Sequence, residues 1–124
     1  MVLRFEKHNK LCWVITFFIA ILIFYVSSLE LAAGGGAGSN FKAMAYHISI
    51  FFFLAFFLAM ALTNGNNKKL IVLAVVLALV YGISDEFHQF FVPGRNMSLF
   101  DVFLDSIGIV FAAMSYFIVT EIQK

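Results

Sequence analysis

The sequence predicts an all-α polytopic membrane protein, built as a single bundle of four transmembrane helices. The first observation is composition: 63% of the 124 residues are hydrophobic and 12% are charged, whereas soluble domains are about half apolar and about a quarter charged. The second is that four apolar stretches recur at close to the roughly 20 residues of a membrane-spanning helix. Short polar or glycine-rich segments separate them, so these residues leave no room for a soluble catalytic domain. The lipid bilayer is the first expected partner.

Charge and cysteine usage exclude further classes. The formal net charge is +1, and no clustered basic face of the kind that binds nucleic acid is present, so we expect no nucleic-acid partner. Cys12 is the only cysteine, which excludes an intramolecular disulfide and a CxxC metal site. We interpret it as a small buried hydrophobic residue.

The first helix is predicted at about residues 11–30, where an apolar run continues through Ser27 and Ser28. Only a helix satisfies its own backbone hydrogen bonds in lipid without closing into a barrel. The basic residues before this run also fit a secretory signal peptide, with residues 31–33 as a small-residue cleavage region. That alternative would leave three helices.

The second helix is predicted at about residues 41–62, after a glycine-rich segment over 33–40 that we expect to be a flexible connection. The third is predicted at about 69–90, after a polar turn whose Asn64-Gly65 pair tolerates positive φ. Lys42 lies beside the glycine-rich segment, and we expect it to be a solvated loop charge.

The fourth helix is predicted at about residues 98–120. Pro93 and Gly94 end the third helix and reverse the chain, because proline cannot continue a helix and glycine favours a turn. The four helices together form one membrane domain over residues 1–124.

Basic residues predict the orientation. Cytoplasmic segments carry an excess of Lys and Arg, so we expect a multi-pass protein of the cell membrane with both termini cytoplasmic. Six of the eight basic residues then lie inside: Arg4, Lys7, Lys10, Lys68, Lys69 and Lys124. Lys42 and Arg95 lie outside.

Polar residues from all four helices converge near the outer boundary. At about 1.5 Å per residue across a core of roughly 30 Å, Asp85 and Glu86 lie about 24 to 26 Å from Lys69. The residues expected at a similar height are Ser27, Ser28, His47, Asp101 and Asp105. Ionisable residues at this depth usually face the bundle interior or a wet cavity. The sequence therefore predicts a polar pocket.

Spacing supports a shared pocket. Asp101 and Asp105 are i, i+4 neighbours, and Gln89 shares a helix face with Asp85 and with Glu86. Small residues lead to these acids and predict close packing of the third helix on the fourth. They are Ala74, Ala78, Gly82, Gly108 and Ala112.

Residues 81–95 read Tyr-Gly-Ile-Ser-Asp-Glu-Phe-His-Gln-Phe-Phe-Val-Pro-Gly-Arg. This stretch resembles the signature of the VanZ-like family, which is an Asp-Glu-x-x-Gln turn, an aromatic, Pro-Gly-Arg, then an Asp and a small-residue helix. The matching positions are Asp85, Glu86, Gln89, Pro93, Gly94, Arg95, Asp101 and Gly108. Tyr25-Val26-Ser27-Ser28 and His47 with Phe51 resemble the family's first two helices.

The resemblance has two departures. Asp105 stands where the family commonly has Asn, which adds an acid to the cluster. The family's basic residue usually lies three positions before the histidine, whereas Lys42 lies five before His47, so its role is not transferred. Membership implies a small multi-helix membrane protein of the cell envelope and, for the founding member, reduced susceptibility to the lipoglycopeptide teicoplanin.

The leading hypothesis is recognition of a polar head group. The pocket would hold part of a lipid-linked envelope precursor or a lipoglycopeptide near the outer leaflet, with Arg95 on a phosphate or carboxylate. The candidate binding residues are Asp85, Glu86, Gln89, Arg95, Asp101, Asp105, His47 and Ser28.

An intramembrane enzyme acting on a lipid-linked phosphate or glycosyl substrate is the alternative. A divalent cation is its candidate cofactor, held by Asp85, Glu86, Asp101 and Asp105. The candidate catalytic residues are Glu86, Asp85, His47 and Asp101, with His88 as a further acid or base. A proton- or cation-coupled carrier is a third hypothesis, and four helices would then require a homo-oligomer.

Overall fold

A computed structural model describes residues 9–30 and 37–123. Within them the helices are α1 (Asn9–Ser27), α2 (Ala37–Thr63), α3 (Leu70–Gln89) and α4 (Leu99–Ile122). Each is long and apolar enough to cross a membrane, and no strand occurs in these two ranges. The all-α, four-helix class is therefore confirmed. Arg4, Lys7 and the 31–33 segment of the signal-peptide alternative lie outside the described residues.

Consecutive helices alternate in direction. One apolar cluster at an end of the bundle combines the start of α1, the end of α2, the start of α3 and the end of α4: Cys12, Ala59, Ile71 and Tyr116. At the opposite end, His47 near the start of α2 contacts Asp105 near the start of α4. The short connections produce this up-and-down arrangement.

Helix α2 lies at the centre of the bundle. It packs against each of the other three helices, and its largest contact is with α4. Phe51, Leu54 and Ala55 of its aromatic-rich stretch are buried in a second apolar cluster near mid-bundle. Large apolar side chains such as Phe18, Val72 and Phe111 point outward, as expected for surfaces that contact lipid.

Two helix ends differ from the sequence prediction. Helix α1 ends at Ser27 rather than near residue 30. Just after this end, the Ser28 hydroxyl donates to the carbonyl of Phe24 at 2.7 Å. Helix α2 begins at Ala37, so residues 37–40 are helical and not part of a flexible connection. Extending an existing helix adds one hydrogen bond per ordered residue, which favours this extra turn. Residues 33–36 lie outside the described ranges.

Both predicted turns form with the backbone that their residues favour. Asn64 and Gly65 have φ of 45° and 72°, and the amide of Asn66 donates to the carbonyl of Thr63 at 2.9 Å. Gly94 has φ of 77°, and the amide of Arg95 donates to the carbonyl of Val92 at 3.1 Å. Pro93 followed by a positive-φ glycine is the pattern of a type II turn.

The small residues pack differently from the prediction. A Cβ added to Gly108 would overlap the carbonyl of Ile48, so α4 makes its closest approach to α2 and not to α3. A Cβ added to Gly82 would lie 3.2 Å from Oδ2 of Asp105 and 3.2 Å from Cε1 of Phe51. The small face of α3 therefore meets both α2 and α4. We expected α3 and α4 to pack on each other through their small-residue faces, and this expectation is wrong for Gly108, which packs against α2.

Candidate functional site

A buried histidine connects two acids of α4. Nδ1 of His47 lies 2.8 Å from Oδ1 of Asp105, and its Nε2 lies 3.7 Å from Oδ2 of Asp101. Because an ionised carboxylate can only accept, His47 donates from Nδ1 to Asp105. The i, i+4 spacing places both acids on the face of α4 that meets α2.

Glu86 reaches the same place from α3. Its Oε2 accepts from the amide of Ser98 at 2.9 Å, while the Ser98 hydroxyl accepts from the amide of Asp101 at 3.2 Å. In a capping box, the acid three residues after the cap would accept from the cap amide. Here Glu86 takes that role, so the carboxylate of Asp101 is directed to His47.

Two carboxylate oxygens of the site have no hydrogen-bond donor within the described part of the chain: Oε1 of Glu86 and Oδ2 of Asp105. Glu86 is 0% exposed and Asp105 is 1% exposed. His47, Glu86 and Asp105 each offer one ligand atom, and the three atoms lie within 4.8 Å of one another. These three residues could hold a metal ion. The cation site predicted from the sequence included Asp85 and did not include His47.

Asp85 faces a different space from its neighbour Glu86. It lines a cavity of about 310 Å³ between α1, α2 and α3, and its Oδ2 accepts from Nε2 of Gln89 at 3.4 Å. The other polar residues of the lining are Ser27, Lys42, Tyr46, His47 and Arg95. His47 therefore belongs both to the cavity and to the buried cluster.

Ser28 and His88 form a separate contact. The Ser28 hydroxyl lies 3.0 Å from Nε2 of His88, and the His88 ring stacks on Phe24 with ring centroids 4.7 Å apart. This contact joins the ends of α1 and α3. Neither Ser28 nor His88 lines the cavity or belongs to the cluster of His47, Glu86 and Asp105.

Arg95 stabilises the end of α1. Its Nη2 donates to the carbonyl of Val26 at 2.8 Å, and its Nε donates to the carbonyl of Leu29 at 3.1 Å. The last carbonyls of a helix lack partners within the helix, and a cation there also complements the helix dipole. The type II turn at Pro93 positions Arg95 for this contact.

Replacing Arg95 by alanine should loosen the end of α1. Charge-assisted hydrogen bonds at a half-exposed site contribute about 1 to 2 kcal/mol, so we expect the amides of Ser28 and Leu29 to exchange about tenfold faster. Hydrogen-exchange mass spectrometry in micelles measures this, with Lys69→Ala as a control at the other end of the bundle. Unchanged exchange in Arg95→Ala would show that Arg95 does not stabilise this helix end.

Three residues of the site were missed by sequence reasoning. Ser98 positions Glu86 and Asp101, and a serine three residues before an acid at a helix start was the available signal. Lys42 is exposed but lies within α2 and lines the cavity, so its interpretation as a loop charge is wrong. Tyr46 lines the same cavity, and its position beside His47 was the only signal.

The fold and this site define a multi-pass helical membrane protein with a buried histidine–carboxylate cluster beside a polar cavity. The VanZ/LLP1 family profile matches residues 10–120. The chain therefore belongs to the VanZ/LLP1 family, as the Asp-Glu-x-x-Gln and Pro-Gly-Arg motifs indicated. No curated protein and no solved structure shows a significant match to it.

Proposed function

We propose that this protein binds the polar head group of an amphipathic molecule of the cell envelope. The cavity between α1, α2 and α3 is the observation that carries the proposal. It joins an apolar wall to hydrogen-bonding groups near one end of the bundle, which is the arrangement that a ligand with a lipid tail and a polar head requires. The candidate ligands are a lipid-linked precursor and a lipoglycopeptide such as teicoplanin.

The cavity lining offers groups that suit both parts of such a ligand. Ile23, Val26 and Ala43 form apolar lining, whereas Asp85 and Gln89 supply a carboxylate and an amide. Both polar side chains are buried, so hydrogen bonds from them to sugar hydroxyls or amides would be shielded from water. A volume of about 310 Å³ is at the small end for ligand pockets, which favours entry of only part of the head group.

The cations of the lining suit a phosphate or a carboxylate. Lys42 is exposed, and its ammonium is a mobile point charge at the rim. Arg95 has two of its nitrogens engaged by the carbonyls of Val26 and Leu29, so we assign the main anion contact to Lys42 instead. The excess of basic residues at the opposite end of the bundle supports an outer-leaflet position for this rim.

Binding in nanodiscs tests this proposal. We expect a polyprenyl-diphosphate-linked sugar or teicoplanin to bind, and Asp85→Asn and Lys42→Gln each to weaken binding about 10- to 100-fold, as expected for loss of a charged hydrogen bond. Microscale thermophoresis against each ligand gives the affinities. Lys69→Gln is the matched control for Lys42, because it removes an exposed lysine at the opposite end of the bundle.

The two variants separate the parts of the proposal. If Asp85→Asn binds both ligands as tightly as the wild type, this cavity is not the binding site. If only Lys42→Gln is without effect, the assignment of the anion contact is wrong. A role in resistance requires in addition that Asp85→Asn lose the effect of the wild-type protein on teicoplanin susceptibility in the same strain.

A transferase or hydrolase acting on a lipid-linked phosphate or glycosyl group is the second candidate. It is favoured by one observation: His47 lines the cavity and also contacts two carboxylates. A head group bound in the cavity would then lie beside groups that can serve acid–base or metal chemistry. Release of phosphate or sugar from the bound polyprenyl substrate, abolished by His47→Ala, would establish this activity.

A further inference from the structure

We infer that His47, Glu86 and Asp105 form a binding site for a divalent d-block cation, with Zn²⁺ as the best fit. The site lies where α2, α3 and α4 meet, and each helix supplies one ligand. The inference goes beyond head-group recognition, because the ion can bind whether or not the cavity holds a ligand.

Burial and charge are the first argument. Glu86 and Asp105 are 0% and 1% exposed, and none of the lysines and arginines in residues 9–30 and 37–123 forms an ion pair with either. Within these ranges, the only nearby side chain that can carry positive charge is His47, which contacts Asp105, so at most one of the two buried carboxylates is compensated, and such a site is strongly disfavoured. A divalent cation neutralises both at once.

The oxygens without donors are the second argument. Oε2 of Glu86 accepts from the amide of Ser98, whereas its Oε1 has no donor within the described ranges. On Asp105, Oδ1 accepts from His47 and Oδ2 likewise has no donor there. A hydrogen bond on one oxygen with the other oxygen directed to an ion is the usual environment of a ligating carboxylate.

Distances agree with a compact site. The three ligand atoms lie within 4.8 Å of one another, and two ligands of one zinc ion are at most about 4.2 Å apart, since each bond is about 2.1 Å. Tetrahedral coordination brings ligand atoms to about 3.4 Å from one another, so the most widely spaced pair must approach by up to about 1.4 Å, a movement that side-chain rotation can supply. Three protein ligands leave a fourth position for water or for Asp101, whose Oδ2 lies 3.7 Å from Nε2 of His47.

The ligand types select the metal. Imidazole with carboxylates suits Zn²⁺ and its d-block neighbours, whereas Mg²⁺ and Ca²⁺ prefer oxygen ligands alone. The hard-cation set of four aspartates and glutamates expected from the sequence is therefore replaced by one nitrogen and two carboxylates. Asp85 is excluded because it faces the cavity beside Gln89.

Metal titration of the purified chain in nanodiscs, without any lipid-linked ligand, tests the site. We expect about one Zn²⁺ per chain by mass spectrometry, bound at least about 100-fold tighter than Mg²⁺. His47→Gln and Glu86→Gln should each weaken Zn²⁺ binding at least about tenfold. Glu30→Gln removes an exposed carboxylate and is expected to bind Zn²⁺ like the wild type.

A measurement on the wild type alone covers the case in which the variants do not fold. X-ray absorption of the zinc-loaded protein should show one imidazole nitrogen with oxygen ligands. A sulfur ligand, an all-oxygen shell, or fewer than about 0.1 Zn²⁺ per chain at saturation would each overturn the inference. None of these results depends on binding of a head group, so failure here leaves the cavity proposal to its own test.

Discussion

Replacing Gly108 by alanine is expected to destabilise the bundle by about 2 kcal/mol or more. A Cβ at this position would overlap the backbone carbonyl of Ile48 and would lie 3.1 Å from the amide nitrogen of Phe52. Backbone atoms within a helix cannot rotate away as a side chain can, so α2 and α4 must move apart. Overpacking of this kind costs about 1 to 3 kcal/mol and sometimes more.

The loss of stability expected from overpacking is opposite in sign to the effect expected from helix propensity. Helix propensity alone predicts that Gly→Ala within a helix stabilises by about 1 kcal/mol. Gly82→Ala is the matched control, because its Cβ would meet only side-chain atoms, those of Asp105 and Phe51 at 3.2 Å, and a displacement of a few tenths of an ångström relieves such a contact. Unfolding by sodium dodecyl sulfate in mixed micelles should show a much larger loss for Gly108→Ala. Equal or stabilising effects of the two changes would contradict the close α2–α4 contact.

Gly108 also shows where sequence reasoning ended. Its spacing with Ala112 correctly predicted a buried small-residue face, because side chains on one helix face follow from 3.6 residues per turn. Which helix that face meets depends on the rotation of each helix about its axis. That rotation is set by packing against neighbours, so a single sequence could not assign Gly108 to α2.

The sequence predicted that the polar residues lie at one depth, but it did not predict which of them line the cavity and which form the buried cluster. Depth follows from counting residues along each helix, so His47, Glu86 and Asp105 were expected at one height, and they meet there. Asp85 and Glu86 are adjacent in sequence and therefore point about 100° apart around the helix. Asp85 lines the cavity, and Glu86 enters the buried cluster. Which acid does which depends on where α1 and α4 lie around α3.

Removing His47 is expected to produce the second large effect. His47→Leu deletes the donor to Oδ1 of Asp105, while Oδ2 already has no donor in the described part of the chain. A buried carboxylate left without its partner costs about 3 to 5 kcal/mol. Unfolding should be measured in the presence of EDTA, so that the hydrogen-bonded pair contributes and a bound metal does not.

A double-mutant cycle separates the pair from the packing of each side chain. Asp105→Leu removes the carboxylate and leaves His47 buried without this partner. The expected loss of stability is about 1 to 3 kcal/mol, because an imidazole is less costly to bury than a carboxylate. With both residues replaced by leucine, neither member of the pair is left buried without the other, so the double variant should be more stable than the sum of the single losses predicts, by about 1 to 3 kcal/mol. Additive losses would mean that His47 and Asp105 contribute independently. A double variant more stable than the wild type would instead show that the pair lowers the stability of the bundle, as buried ionisable groups kept for binding or catalysis often do.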